Sequence, residues 1–203
     1  MPGISELVPG VWHWQTEHPR IGVQVSSYWL DDTGTLLDPM EPEEGTGWFA
    51  DRDPEPQRIV LTCRHHWRDC DRFREAFGVP VFAHTAGLHE FDGDSEVKGY
   101  STGEQLAPGV TPMEMGAICP DDTVLHIEAG PGALAFGDSL IRYGGEIGFV
   151  PDALMGEDAE QVKREALERA RDLLDLQFDA LLFAHGDPLV EGGKQELREF
   201  LDR

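Results

Sequence analysis

The sequence is poor in basic residues and lacks long apolar runs. It has 16 lysines and arginines against 39 aspartates and glutamates, so its formal net charge is −23 at pH 7. A surface this acidic repels phosphate backbones and anionic lipid. Because no local basic cluster is visible, we expect neither a nucleic acid nor a membrane as a partner. No apolar run approaches the roughly 18 residues that a membrane-spanning helix requires.

Cysteine is also scarce. Cys63, Cys70 and Cys119 are too few for a disulfide framework, which is typical of a reducing compartment. The first ten residues have neither the basic start nor the apolar core of a signal peptide, and we therefore expect a cytoplasmic protein. The length of 203 residues and the hydrophobic share of 40% predict one globular domain over residues 1–203.

The hydrophobic pattern predicts strands and helices in a regular order. Apolar residues at helical spacing indicate three helices, at 68–77, 158–176 and 193–202. Short β-branched and aromatic runs between turn residues indicate strands, at 10–14, 21–30, 35–38, 58–62, 80–84, 109–115, 122–128, 133–136 and 178–184. This order favours sheets that are covered by helices.

Three polar clusters directly follow predicted buried strands. They lie at residues 62–70, 137–138 and 185–187, and they contain most of the histidine and aspartate residues that could carry chemistry. In open α/β sheets, functional groups gather beyond the carboxyl ends of the strands. We therefore expect these three segments to meet in one site.

With these segments in this order, the sequence resembles the metallo-β-lactamase superfamily. That family has a strand that ends in Thr followed by H-x-H-x-D-H, a later Gly-Asp after an apolar strand, and a final strand that closes on His-Gly. The matching positions here are Thr62, the pair at 137–138 and the pair at 185–186, and Asp38 resembles the aspartate that ends the family's third strand. The resemblance implies an α/β fold of four layers, an αββα sandwich with the site at one edge of the sheets.

The metal-binding motif departs from the family pattern. In the register that starts after Thr62, the motif positions are held by Cys63, Arg64, His65, His66, Trp67 and Arg68. Only the second histidine is kept, and a cysteine stands at the first. A shift of two residues keeps the first histidine, as His65, and the aspartate, as Asp69, but places Trp67 at the second histidine. The sequence leaves both registers open.

One metal at most is expected in such a site. A catalytic zinc takes about three protein ligands and an open position for water. The resemblance implies four metal ligands, which are Cys63, His65, Asp138 and His185. It implies three further residues close to the chemistry, which are His66, Arg68 and Asp69. Because Arg68 places a permanent cation where the family's second metal lies, we expect a single zinc or none.

Two functions fit these residues equally well. The first is a hydrolase of a small ester or thioester that uses one zinc to activate water. The alternative is a metal-free, catalytically reduced member of the superfamily whose cleft binds a small molecule or a protein partner. Under this alternative Arg68 replaces the second metal and pairs with Asp138, because a buried carboxylate needs a partner.

Overall fold

The computed structural model describes residues 3–91 and 97–203. The strands in these ranges are β1 (Ser5–Val8), β2 (Val11–Glu17), β3 (Gln24–Leu30), β4 (Thr35–Leu37), β5 (Arg58–Val60), β6 (Val81–His84), β7 (Val97–Tyr100), β8 (Val110–Glu114), β9 (Thr123–Ile127), β10 (Ala133–Phe136), β11 (Ile141–Tyr143), β12 (Glu146–Gly148) and β13 (Ala180–Phe183). The helices are α1 (Gly47–Ala50), α2 (Cys70–Phe77), α3 (Ala159–Asp172) and α4 (Gly193–Leu201).

The first sheet contains β1 to β7 in sequence order. Strands β1 to β4 form an antiparallel meander, and β4 to β7 run parallel to one another. The change of direction follows from the connections. Gly34, with φ of 62°, closes the tight turn between β3 and β4, whereas the helix α2 provides the long crossover that parallel strands β5 and β6 require.

The second sheet has the order β13-β10-β9-β8. Its strands β8, β9 and β10 are antiparallel, and β13 joins β10 in parallel after the long helix α3. Strands β11 and β12 form a separate two-stranded hairpin. The carboxyl ends of β10 and β13 therefore point in the same direction, which brings the residues after these two strands together.

Three apolar clusters define four layers. Val11, Leu37, Leu125 and Leu182 belong to the cluster between the two sheets. A second cluster packs helices α1 and α2 against the outer face of the first sheet, and a third packs α3 and α4 against the outer face of the second sheet. The predicted αββα sandwich is thereby confirmed. Strand β13 is buried at all four positions, as expected for a strand that is covered on both faces.

Short strands with polar residues were not predicted. Strands β1, β7, β11 and β12 have only three or four residues each, too few for a clear alternation of apolar and polar positions. The predicted helix at 68–77 begins two residues late, at Cys70, because Arg68 has a φ of 46°, which an α-helix excludes. None of the helices in the described ranges has the length and apolar character needed to cross a membrane.

Candidate metal centre

The candidate site lies where strands of both sheets end at the same edge. Asp38 follows β4 and His66 ends a short 3₁₀ turn after β5, so both come from the first sheet. Asp138 and His185 follow β10 and β13 of the second sheet within two residues. Parallel strands direct their carboxyl ends to one edge, which is where α/β sheets gather functional groups.

His66, Asp138 and His185 form the centre of the site. Their donor atoms lie within 4.8 Å of one another. Asp138 Oδ1 is 3.2 Å from Nε2 of His66 and 3.1 Å from Nε2 of His185. One carboxylate oxygen therefore faces two imidazole nitrogens, and the two rings lie 5.5 Å apart between their centroids.

Asp38 fixes the orientation of His66. Its Oδ2 is 2.9 Å from Nδ1 of His66 and accepts a hydrogen bond of 2.5 Å from the hydroxyl of Thr62. The backbone N–H of Thr62 donates to the other oxygen of Asp38 at 2.9 Å. The side chains of Asp38 and His66 are only 4% and 5% exposed. With Nδ1 of His66 held by Asp38, its Nε2 is directed at Asp138.

The charges of these groups depend on one another. Burial alone would lower the pKa of His66, but the carboxylates of Asp38 and Asp138 outweigh it and raise the pKa to about 10. Burial lowers the pKa of His185 in spite of its contact with Asp138. Burial would raise the pKa of Asp138, yet the two imidazoles hold it well below its usual range. Without a metal, the raised pKa of His66 therefore favours its charged form between the two carboxylates, and the lowered pKa of His185 favours its neutral form.

Arg68 has a different role from the predicted one. Its guanidinium donates to the backbone carbonyls of Ser26 at 2.6 Å, Asp38 at 2.7 Å and Ala184 at 3.3 Å. The predicted pairing of Arg68 with the Asp138 carboxylate is replaced by these bonds, because His66 and His185 already occupy that carboxylate. Arg68 instead ties the first sheet to the end of β13.

The structure does not bring the four predicted ligands together as one set. Asp138 and His185 meet, but His65 is exposed and lies outside the group that contains them. The 3₁₀ turn at 64–66 directs the next residue, His66, inwards instead. Asp69 lies away from the centre, where its Oδ2 accepts a hydrogen bond from the backbone N–H of Glu41 at 2.9 Å.

Cys63 belongs to a second group with Cys119 and Asp121. Its Sγ is 3.6 Å from that of Cys119. Cys119, which is far from Cys63 along the chain, and Asp38 are two site residues that the sequence pattern did not predict. The signal for Asp38 was present, since it is an aspartate directly after a buried strand.

The donor set at His66, Asp138 and His185 fits one divalent metal. Two imidazoles, one carboxylate and an open position are a common ligand set of catalytic zinc and of non-haem iron. Neighbouring ligands of a tetrahedral zinc with bonds of about 2.0 Å lie about 3.3 Å apart, close to the 3.1 Å and 3.2 Å observed here. A carboxylate on the far nitrogen of a ligating histidine, as Asp38 provides, is the usual support of such a site.

Several solved structures share this fold. A flavoprotein from Thermotoga maritima is 17% identical with a TM-score of 0.67, and the match covers 99% of this chain and 61% of that chain. A metallo-β-lactamase family protein from Thermus thermophilus is 17% identical with a TM-score of 0.66, over 97% and 80% of the two chains. A B3 metallo-β-lactamase with an active-site glutamic acid is 11% identical with a TM-score of 0.68, over 100% and 87%.

These similarities establish the metallo-β-lactamase fold for this chain, as the strand-end residues predicted. The chain spans about three fifths of the flavoprotein and of a flavo di-iron protein variant from the same organism, at 61% and 62%. No protein-family model matches the sequence, and no curated protein matches it either.

Proposed function

We propose that this protein is a hydrolase of the metallo-β-lactamase fold that holds a single zinc ion on His66, Asp138 and His185. The observation that supports it most is that three donor atoms from both sheets lie within 4.8 Å of one another, while Asp38 holds the remaining nitrogen of His66. This ligand set revises the one expected from the sequence, with His66 in place of His65 and without Cys63.

The residues of the chain have separate tasks in this proposal. A bound zinc supplies a water of lowered pKa and polarises a carbonyl oxygen. Asp38 keeps the proton of His66 on Nδ1, so that Nε2 presents its lone pair. Asp122, which accepts a hydrogen bond from the backbone N–H of Asp138 at 2.9 Å, positions the ligating carboxylate. Arg68 holds the ends of both sheets at the distance that the ligands require.

The surroundings of the site favour a small substrate with an apolar part. Tyr143, in the hairpin of β11 and β12, is 47% exposed. The hairpin is next to His185, because the backbone N–H of Arg142 donates to the carbonyl of His185 at 3.0 Å. With the acidic surface of the chain disfavouring anions, we propose a small uncharged ester or thioester as the substrate class.

A second function is favoured by the charge balance of the site. The imidazolium of His66 lies between Asp38 and Asp138, so these carboxylates are partly neutralised without any metal. Under this alternative the protein binds a small molecule or a protein partner without catalysis. It predicts that protein purified without chelator contains no stoichiometric metal and that added zinc does not raise the unfolding temperature.

Metal analysis of matched variants tests the proposal. We expect about one zinc per chain in the unaltered protein, and its loss in Asp138→Asn and His185→Ala. The control variant His65→Ala changes an exposed neighbouring histidine and should keep its zinc, as should Cys119→Ser. Each variant is first shown to be folded by circular dichroism. Zinc that persists in His185→Ala but is lost in Cys119→Ser would contradict the proposed ligands.

Cobalt substitution gives an independent test of the donor set. Cobalt bound by two imidazoles and one carboxylate should lack the intense near-ultraviolet absorption of thiolate ligands. Hydrolysis of an activated ester and of a thioester, by zinc-loaded protein and by Asp138→Asn, then tests catalysis. Equal rates in both proteins would contradict a hydrolase that depends on this site.

A further inference from the structure

A pair of thiols lies beside the metal centre and takes no part in the proposed ligand set. The Sγ atoms of Cys63 and Cys119 are 3.6 Å apart. Cys63 is 2% exposed, whereas Cys119 is half-buried and so reaches the surface. A disulfide has an S–S length of about 2.05 Å, so these sulfurs need to approach by roughly 1.5 Å to form one.

The approach of the two cysteines is fixed by backbone contacts. Cys63 lies between Thr62, whose carbonyl accepts from the backbone N–H of Thr123 at 2.9 Å, and Arg64, whose backbone N–H donates to Asp121 Oδ2 at 2.7 Å. These bonds hold the segment after β5 against the segment before β9. The two cysteines therefore lie next to each other where the two sheets meet.

This group is poorly suited to a metal ion. Two thiols and the carboxylate of Asp121 would be the ligands, but Arg64 already bonds both oxygens of that carboxylate. The backbone N–H of Arg64 donates to Oδ2 of Asp121, and its Nε–H donates to Oδ1 at 2.5 Å. A cation would thus lie against a guanidinium and share its only carboxylate with it. Because Arg64 already bonds both oxygens of Asp121, the two thiols in contact are better suited to redox chemistry than to metal binding.

We propose that Cys63 and Cys119 form a redox-active dithiol that a peroxide converts into an intramolecular disulfide. The more exposed Cys119 attacks the peroxide first: an S–O bond forms, the O–O bond breaks, and one water or alcohol leaves. Cys63 then attacks the sulfur of the resulting sulfenic acid, so that the S–S bond forms and the S–O bond breaks. The second oxygen leaves as water with the proton of Cys63. Two thiols are oxidised and one peroxide is reduced.

The product would link the two sheets next to the candidate site. Cys63 is three residues before His66, in the segment that follows β5, and Cys119 is three residues before Asp122, in the segment that precedes β9. The disulfide would therefore connect the loop that carries His66 to the loop that carries Asp122, whose side chain bonds the backbone N–H of Asp138. Formation of the disulfide itself does not depend on a bound metal.

Thiol counting after oxidation tests the proposal. Chelator-treated protein is exposed to hydrogen peroxide, unfolded, and titrated for free thiols, and its peptides are analysed by mass spectrometry. We expect the three thiols to fall to one, a loss of two hydrogens in mass, and a Cys63–Cys119 peptide that a dithiol reductant reverses. Cys119→Ser should form no intramolecular disulfide, whereas the control Cys70→Ala should form it as the unaltered chain does.

Three results would overturn the proposal. Oxidation that adds oxygen to one cysteine without an internal disulfide would show that the sulfurs do not close. A disulfide that uses Cys70, or one between two chains, would assign the reactivity elsewhere. Zinc that the purified protein holds and that Cys119→Ser loses would make the pair a metal site. The thiol readouts use chelator-treated protein and do not depend on zinc at His66, so an absent disulfide overturns this proposal alone, whereas zinc lost in Cys119→Ser would contradict this proposal and the proposed ligands together.

Discussion

Replacement of Arg68 by alanine tests how the two sheets are held together at the site. The guanidinium donates three hydrogen bonds to carbonyl oxygens, of Ser26, Asp38 and Ala184. A hydrogen bond with one charged partner contributes about 1.5–3 kcal/mol. Because the side chain of Arg68 is only partly buried, water can replace part of this stabilisation after the substitution. The bond to Ala184, at 3.3 Å, is the weakest of the three. We expect Arg68→Ala to lower the free energy of unfolding by about 3 kcal/mol.

Urea denaturation and thermal unfolding measure this loss. For a chain of this size, about 3 kcal/mol corresponds to a fall in the unfolding temperature of roughly 6–12 °C. The control is Arg72→Ala, whose side chain is 62% exposed and pairs with Glu41 at the surface. A surface pair contributes less than about 1 kcal/mol. If Arg68→Ala costs no more than Arg72→Ala, the guanidinium does not hold the sheet ends and the reasoning is wrong.

Two further predictions concern the site and its edge. In metal-free protein, the raised pKa of His66 contributes stability that is complete below its unfolded value of 6.5 and is lost as the pH rises to about 10. Unfolding temperatures across this range should therefore fall more steeply in the unaltered chain than in His66→Gln, and equal slopes would contradict the pairing of His66 with the two carboxylates. Gly186 has a φ of 100°, and an added Cβ would collide with the carbonyl of Arg142. We expect Gly186→Ala to lower the free energy of unfolding in denaturant by about 2–4 kcal/mol. The control Gly148→Ala, with no atom within 4 Å of the added Cβ, should leave it almost unchanged. Similar losses in the two variants would count against a tight contact at Gly186.

Most of the fold was predictable because burial leaves a clear pattern in the sequence. Strand β13 is apolar at every position since it is covered on both faces. Helix α3 begins after Asp158, whose side chain accepts a hydrogen bond from the backbone N–H of Gln161 at 2.9 Å, and such a cap precedes many helices. The short strands β7, β11 and β12 lack such a pattern, because their pairing depends on neighbours that are distant in sequence.

The candidate site was predictable in part. Asp138 and His185 follow buried strands, and the parallel arrangement of β10 and β13 brings them together. The choice between His65 and His66 depends on a 3₁₀ turn, in which successive side chains point about 120° apart. Two adjacent histidines carry no periodic signal that predicts such a turn. The same holds for the left-handed conformation of Arg68, which directs its side chain to carbonyls that no sequence motif identifies.

The division of the site between the two sheets has a consequence for how it can be built. Asp38 and His66 belong to the first sheet, and Asp138 and His185 belong to the second, so neither half of the chain holds enough donors for a complete centre. In the proposed zinc site, association of the two halves must precede tight metal binding, and a metal that binds only the assembled form shifts the equilibrium towards it. Two halves of the chain that are expressed separately should each bind no zinc and should bind it after mixing. Zinc binding would then report directly whether the two sheets have packed against each other.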